Sequence, residues 1–123
     1  MEIEALTKHE VSWRLDKMRK LVVANPNDPT IMFNYADALI KNGETYEGIA
    51  IMLETVQRWP EQYRVWWSLG WALNRHAWQV RGNSVWREVP KRAQQEFTAL
   101  SLLADKVVDK ALELNPRRQA FGT

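Results

Sequence analysis

The segment "VWWSLGWALNRHAW", residues 65–78, has the most unusual composition in the chain, because it contains four of the seven tryptophans within fourteen residues. Side chains three and four residues apart share one face of a helix, so this stretch separates into two helical stripes. The first stripe consists of Trp66, Leu69, Gly70 and Leu73. The second stripe consists of Trp67, Trp71 and Trp78. Helical spacing alone leaves open whether each stripe is core, ligand platform or partner surface.

The composition is ordinary for a soluble globular protein, with 46% apolar and 26% charged residues, and a length of 123 residues predicts one domain. No apolar run approaches the roughly 20 residues of a membrane span. The N-terminus, MEIEALTKHE, lacks the basic start and apolar stretch of a secretory signal. We therefore expect a cytoplasmic protein without a membrane partner. The absence of cysteine excludes disulfides and thiolate metal ligands.

Apolar periodicity and helix-stop residues predict an all-α chain of about five helices. The apolar stripe of the first helix is Val11, Leu15, Met18 and Val22. Asp28 is placed to cap the second helix, with Pro29 in its first turn, and Asn42-Gly43 is placed to end it. The other four helices are predicted at about 29–41, 45–58, 61–78 and 91–114.

The prolines that follow successive helices reveal a period. Pro26 and Pro60 are 34 residues apart, and Pro116 follows Pro60 after 56 residues. The later copy reads Trp66-x-x-Leu69-Gly70-x-x-Leu73, then Ala104-x-x-x-Val108, then Pro116. The corresponding residues of the earlier copy are Met32, Tyr35, Ala36, Leu39, Gly43, Gly48, Met52 and Pro60. The period and this order of small and large residues resemble the tetratricopeptide repeat family.

The resemblance implies an antiparallel array of helix pairs, a TPR-like α-solenoid, in a single domain. Residues 1–26 would form a half repeat with the first helix, and residues 27–60 a complete repeat. Residues 61–116 would form a second repeat with an insertion at about 75–96, followed by a tail at 117–123. The insertion adds about 22 residues to the 34-residue period. Its loop, with Arg81, Trp86 and Arg87, is a candidate lid.

The resemblance implies that the first stripe packs against the partner helix, with Trp66 in the core. It places the second tryptophan stripe on the concave surface, where such proteins bind extended peptides or partner helices. It implies an aromatic groove formed by Phe33, Trp67 and Trp71. The polar residues at its edges would be Asn34, Asp37, Arg64, Asn74 and Arg75. We therefore expect a protein–protein interaction module, an adaptor or scaffold that binds a protein or peptide partner. Asp37 would repel the terminal carboxylate that chaperone-binding members of the family clamp.

Three alternatives stay open. In the first, the inserted loop folds back and buries Trp67 and Trp71 under Val80, Val85 and Trp86. In the second, an apolar end face makes the chain a self-assembling, homo-oligomeric structural subunit; its residues would be Val107, Leu112 and Leu114. In the third, which is less favoured, the basic loop binds single-stranded nucleic acid. That loop would use Arg81, Trp86, Arg87, Lys91 and Arg92, interrupted by Glu88, and the net charge of +2 gives nucleic-acid binding little support.

Catalytic patterns are missing from the sequence. The two histidines, His9 and His76, are far apart, and no Ser/His/Asp set or metal-ligand spacing is recognisable. Asp105 and Asp109 form an i,i+4 carboxylate pair flanked by lysines, which is typical of a solvated helix face. We therefore expect no enzyme activity, no cofactor and no metal. Trp13 and Trp59 are predicted to be structural.

Overall fold

The computed structural model describes residues 8–117, and within that range it contains five α-helices and no β-strand. The all-α prediction is confirmed. A short 3₁₀ turn, Trp86–Glu88, lies between the last two helices. The helices are α1 (Lys8–Ala24), α2 (Pro29–Lys41), α3 (Thr45–Arg58), α4 (Tyr63–Arg81) and α5 (Lys91–Leu114). More than half of residues 75–96, the insertion that the resemblance implies, belongs to α4 and α5, and only residues 82–90 connect these two helices.

The chain divides into two compact units, and the division falls within α3. Unit 1 is Met1–Thr55, with α1, α2 and most of α3, and unit 2 is Val56–Thr123, with α4, the 3₁₀ turn and α5. None of the described helices is both long and apolar enough to cross a membrane.

Local capping sets the bounds of α2. Asp28 is the N-cap residue, and its carboxylate accepts hydrogen bonds from the backbone N–H groups of Thr30 at 3.0 Å and Ile31 at 3.2 Å. These two N–H groups have no partner within the helix, so the carboxylate satisfies donors that would otherwise depend on water. At the other end, Gly43 has a φ of 91°, a conformation that L side chains rarely adopt, and the helix stops there.

Asp28→Ala is expected to lower the free energy of unfolding by about 1 kcal/mol, because the variant loses the acceptor for both N–H groups. Asp28→Asn keeps an acceptor at the same position and should stay within a few tenths of a kcal/mol of the parent protein. Urea denaturation followed by far-UV circular dichroism measures both values. Equal losses in the two variants would show that the charge, rather than the cap, stabilises α2.

In unit 1, α2 and α3 pack closely at Gly48. A Cβ atom added there would lie 2.5 Å from Ile40 Cγ1 and 2.7 Å from the Ala36 carbonyl oxygen, so a side chain has no room. The connection between these helices is only residues 42–44, and α2 and α3 therefore form an antiparallel hairpin. The buried side chains of this unit include Met32, Tyr35, Ala36, Leu39, Ile40, Ile49 and Met52.

In unit 2, α4 and α5 approach each other at Gly70, where an added Cβ atom would lie 2.6 Å from Val108 Cγ2. Trp78, later in α4, meets Phe97, earlier in α5, edge to face with 5.0 Å between ring centroids. The order of these two contacts makes the helix pair antiparallel. The buried side chains of this unit include Val65, Leu69, Ala72, Leu73, Ala77, Val89, Ala104, Val107 and Ala111.

Two burial predictions for unit 2 are wrong. Trp66 is half-buried rather than part of the core, because its indole Nε1 donates a hydrogen bond to the Pro60 carbonyl at 2.8 Å and so fixes the turn before α4. Val107, predicted on an apolar end face, is buried, whereas Leu112 and Leu114 are half-buried. The close α4–α5 contact at Gly70 explains the burial of Val107, because Val107 Cγ1 would lie 3.5 Å from a Cβ atom added at Gly70.

Two further tryptophans were predicted to be structural. Trp13 is exposed on α1, with the Lys17 ammonium 5.3 Å from its ring centroid, and its structural role stays a prediction. Trp59 is half-buried, and the Arg58 guanidinium lies 4.4 Å from its ring centroid. Because a cation covers the face of each ring, these indoles gain a cation–π contact at the surface.

Candidate functional site

A groove of about 500 Å³ runs between α4 and α5 in unit 2. Its volume is within the roughly 300–1,000 Å³ of typical ligand pockets. Both walls belong to one antiparallel helix pair, so the groove is built from a continuous packed unit. Its lining residues are Trp67, Gly70, Trp71, Asn74, Ala104, Asp105, Val108 and Asp109.

The sequence produces this groove through residue size and helical spacing. Gly70 has no side chain, and Val108 therefore packs directly against the α4 backbone. Ala104, one turn earlier on α5, is also small and buried. Larger residues flank this close contact at i,i+4 spacing on each helix, with two indoles on the α4 wall and two carboxylates on the α5 wall.

The two indoles on the α4 wall differ in exposure. Trp67 is half-buried and stacks against Tyr63, with ring centroids 6.4 Å apart. Trp71 is 52% exposed, and the Arg75 guanidinium lies 5.3 Å from its ring centroid. Trp67 is therefore held by its neighbours as part of the wall, whereas Trp71 presents a large apolar surface to solvent beside the groove.

The polar side chains of the groove are available to a ligand. Asp105 and Asp109 are exposed, and neither forms an ion pair or hydrogen bond within residues 8–117. Lys110, which is next to Asp109 in sequence, instead pairs with Glu113 at 3.8 Å. Asn74 on the opposite wall is exposed as well, and no hydrogen bond of its side chain is found in the described part of the chain.

The carboxylates were not among the predicted binding residues. Sequence analysis interpreted Asp105 and Asp109 as a solvated face, and the structure shows that this face is also a wall of the groove. The sequence spacing does indicate their position, because the two aspartates directly follow Ala104 and Val108 of the repeat pattern. Residues adjacent to a packed stripe lie at its edge.

The inserted loop packs at the end of the helix pair and not over the groove. Trp86 meets Phe97 edge to face at 5.6 Å, and the Gln94 side chain donates a hydrogen bond to the Trp86 carbonyl at 2.7 Å. The Arg81 guanidinium lies 5.3 Å from the Trp78 ring centroid and donates to the Ser84 carbonyl at 3.0 Å. Trp78 therefore belongs to this loop cluster.

Three predicted loop residues are thus separate from the groove residues, since Arg81, Trp86 and Arg87 do not line it. The alternative in which the loop buries the second tryptophan stripe is wrong for Trp71, which stays half exposed. Val85, one of the proposed covering residues, is itself exposed. Because Trp86 packs on Phe97 in the first half of α5, the loop does not cover Trp71.

Other predicted partner-binding residues lie outside this groove. Phe33 is half-buried on α2, Asn34 is exposed, and the Asp37 carboxylate pairs with the Lys41 ammonium at 2.8 Å. Arg64 and Arg75 are exposed on α4. Because the first three belong to unit 1 and the tryptophans to unit 2, the predicted continuous groove across two repeats stays a prediction.

Unit 1 contains a second groove, of about 690 Å³, which the sequence did not predict. Its Asp16 carboxylate accepts a hydrogen bond from Arg19 and pairs with Lys20 at 3.3 Å, and these bonds lower the pKa of Asp16, the Arg19 bond most of all. Burial raises the pKa of Tyr35 in the same groove. The lining residues are Val11, Ser12, Leu15, Asp16, Arg19, Tyr35, Leu39, Asn42, Glu44 and Glu47.

The two histidines lie on different helices. His76 is buried in α4 among apolar residues, and His9 lies on α1. No group of three or more histidine or acidic side chains there is arranged to hold a metal ion.

Comparison of the sequence with protein-family models gives no match, and comparison with curated proteins gives no match either. The resemblance to tetratricopeptide repeats therefore stays a prediction from the residues that carry it.

Proposed function

We propose that the chain is a non-enzymatic protein–protein interaction module, and that its α4–α5 groove binds a peptide segment of a partner protein. One observation carries the proposal: a half-exposed indole, Trp71, stands at the edge of a groove whose polar side chains have no partner among residues 8–117. A large aromatic side chain next to a concave surface is the usual anchor of a protein interface.

The exposed indole of Trp71 is the main apolar surface that a partner can cover. An indole buries roughly 150–250 Å² when covered, and its removal from an interface often costs about 2 kcal/mol or more. Trp67, Ala104 and Val108 extend this apolar surface into the groove. Asn74 and the carboxylates of Asp105 and Asp109 then fix the register of the bound segment, because no described residue uses their hydrogen-bonding capacity.

The helix pairs support the same proposal. Both helix pairs approach closely at a glycine, Gly48 in unit 1 and Gly70 in unit 2, and both glycines belong to the pattern that resembles a tetratricopeptide repeat. Arrays of such pairs expose helix faces for protein recognition. An adaptor or scaffold role would follow from this architecture.

Trp71→Ala should weaken peptide binding about 30-fold, which corresponds to about 2 kcal/mol, because the partner loses its main apolar anchor. Trp78→Ala is a matched control, since Trp78 lies on the same helix with 53% exposure, against 52% for Trp71, but does not line the groove. Random peptides are selected on the parent protein, and fluorescence anisotropy then gives the Kd of a selected peptide for each variant. Peptides that bind Trp71→Ala as tightly as the parent would contradict the proposal.

A further inference from the structure

We infer that the α4–α5 groove selects a segment with a single lysine or arginine side chain, held between Trp71 and the carboxylates of Asp105 and Asp109. The inference rests on the proposed function, because it names the chemistry of the partner that the groove binds. The groove combines three properties: unpaired carboxylates on α5, an aromatic face on α4, and apolar surface between them.

The negative charge comes from one wall. Asp105 and Asp109 are one helical turn apart on α5, both line the groove, and neither has a partner in the part of the chain that the structure describes. An apolar segment that covered the two carboxylates would displace their hydrating water and offer no hydrogen bonds in its place. This desolvation costs free energy. A guanidinium or ammonium group supplies charged donors at that place and removes the cost.

The aromatic face is on the other wall. The Arg75 guanidinium 5.3 Å from the Trp71 ring centroid shows that this indole already attracts a cation within its own helix. A partner cation between the ring and the carboxylates would gain a cation–π contact and a charge-assisted hydrogen bond together. The groove of unit 1 lacks this combination, because no tryptophan lines it and its Asp16 is already bonded to Arg19 and Lys20.

The surrounding charges restrict the number of basic residues. Lys106 and Lys110 flank the two aspartates on α5, and Arg75 lies beside Trp71 on α4. A run of several basic residues would meet these cations, whereas one basic residue can sit at the carboxylates. The floor of Trp67, Ala104 and Val108 then favours apolar neighbours in the bound segment. The ligand class is therefore one lysine or arginine within an apolar segment.

The probe is a peptide selected on the parent protein together with a neutral analogue, in which norleucine replaces lysine or citrulline replaces arginine. Asp105→Asn/Asp109→Asn removes the charge of the groove without changing its shape. Glu61→Gln/Glu88→Gln removes the same charge from exposed positions of unit 2 that do not line the groove. Anisotropy titrations give Kd for each protein and peptide, and circular dichroism verifies folding.

We expect selected peptides to contain a basic residue, and Kd to rise at least about ten-fold for the neutral analogue and for Asp105→Asn/Asp109→Asn. The glutamine control should stay within about two-fold of the parent. Peptides that depend on Trp71 but bind equally well without the basic group or without the aspartates would overturn the inference and leave the proposed function intact. Failure to select any Trp71-dependent peptide would overturn both. A dimer that light scattering detects and that Trp71→Ala abolishes would also overturn the inference, because the groove would then bind a second copy of this chain.

Discussion

Gly48→Ala is expected to lower the free energy of unfolding by about 2 kcal/mol, although alanine is the better helix former. The added Cβ would meet both Ile40 Cγ1 at 2.5 Å and the Ala36 carbonyl oxygen at 2.7 Å. Overpacking of this kind costs typically 1–3 kcal/mol, and we take the upper end, about 3, because a backbone atom cannot rotate away. The higher helix propensity of alanine returns about 1 kcal/mol.

Gly70→Ala is the matched comparison, because its closest contact is a side-chain atom. The added Cβ would lie 2.6 Å from Val108 Cγ2, and the nearest backbone atom, Val108 N, is 3.5 Å away. Shortening Val108 to alanine removes the obstacle. The loss of unfolding free energy in Gly70→Ala/Val108→Ala should therefore be smaller, by about 1 kcal/mol or more, than the sum of the losses in the two single variants. Gly48→Ala/Ile40→Ala should show a smaller coupling, because the Ala36 carbonyl remains.

Urea denaturation of the two sets of single and double variants measures these coupling energies. Equal coupling in both sets would show that the helices of unit 1 separate more easily than the contact at Ala36 implies. An increase in stability for Gly48→Ala alone would mean that helix propensity outweighs packing there, and the close hairpin of unit 1 would then be wrong.

Leu69→Ala is expected to cost about 3–4 kcal/mol, because it removes a side chain with no exposed surface from unit 2 and leaves a cavity. Leu102→Ala is the control on α5, where the same atoms are removed from a side chain that is 59% exposed, and it should stay within about 0.5 kcal/mol of the parent.

Tryptophan fluorescence is the appropriate probe for this comparison. Six of the seven tryptophans belong to unit 2, so fluorescence follows that unit, while far-UV circular dichroism follows all helices. Leu69→Ala should move the fluorescence midpoint to a much lower urea concentration. If the two leucine variants lost equal stability, the assignment of Leu69 to the core would be incorrect.

The helices were predictable because their signals are local. Asp28, Pro29 and Gly43 act on backbone groups within a few residues, and the structure confirms the cap and the left-handed stop that they predicted. Small residues were also informative, since the resemblance to tetratricopeptide repeats implied a helix contact at Gly70 and Val108, and these two residues do meet. Spacing fixes which face of a helix a residue occupies.

The site was less predictable, because it depends on how faces meet in three dimensions. Trp66 shares a stripe with Leu69, yet its indole N–H bonds to the Pro60 carbonyl and keeps the ring half-buried. Trp86 packs on Phe97, a contact that no period in the sequence specifies. The sequence identified the indole wall of the groove, whereas the wall with Asp105 and Asp109 appeared only when α5 was placed beside α4.

The central claim is that the α4–α5 groove, and no other indole-bearing surface, contacts the partner. The most direct measurement is a peptide titration followed by the indole N–H signals in a two-dimensional ¹H–¹⁵N NMR spectrum, with each signal assigned from single tryptophan substitutions. We expect the signals of Trp67 and Trp71 to shift together, while those of Trp13 on α1 and Trp86 in the loop stay in place. Shifts confined to Trp13 or Trp86, with Trp67 and Trp71 unchanged, would contradict binding at the α4–α5 groove.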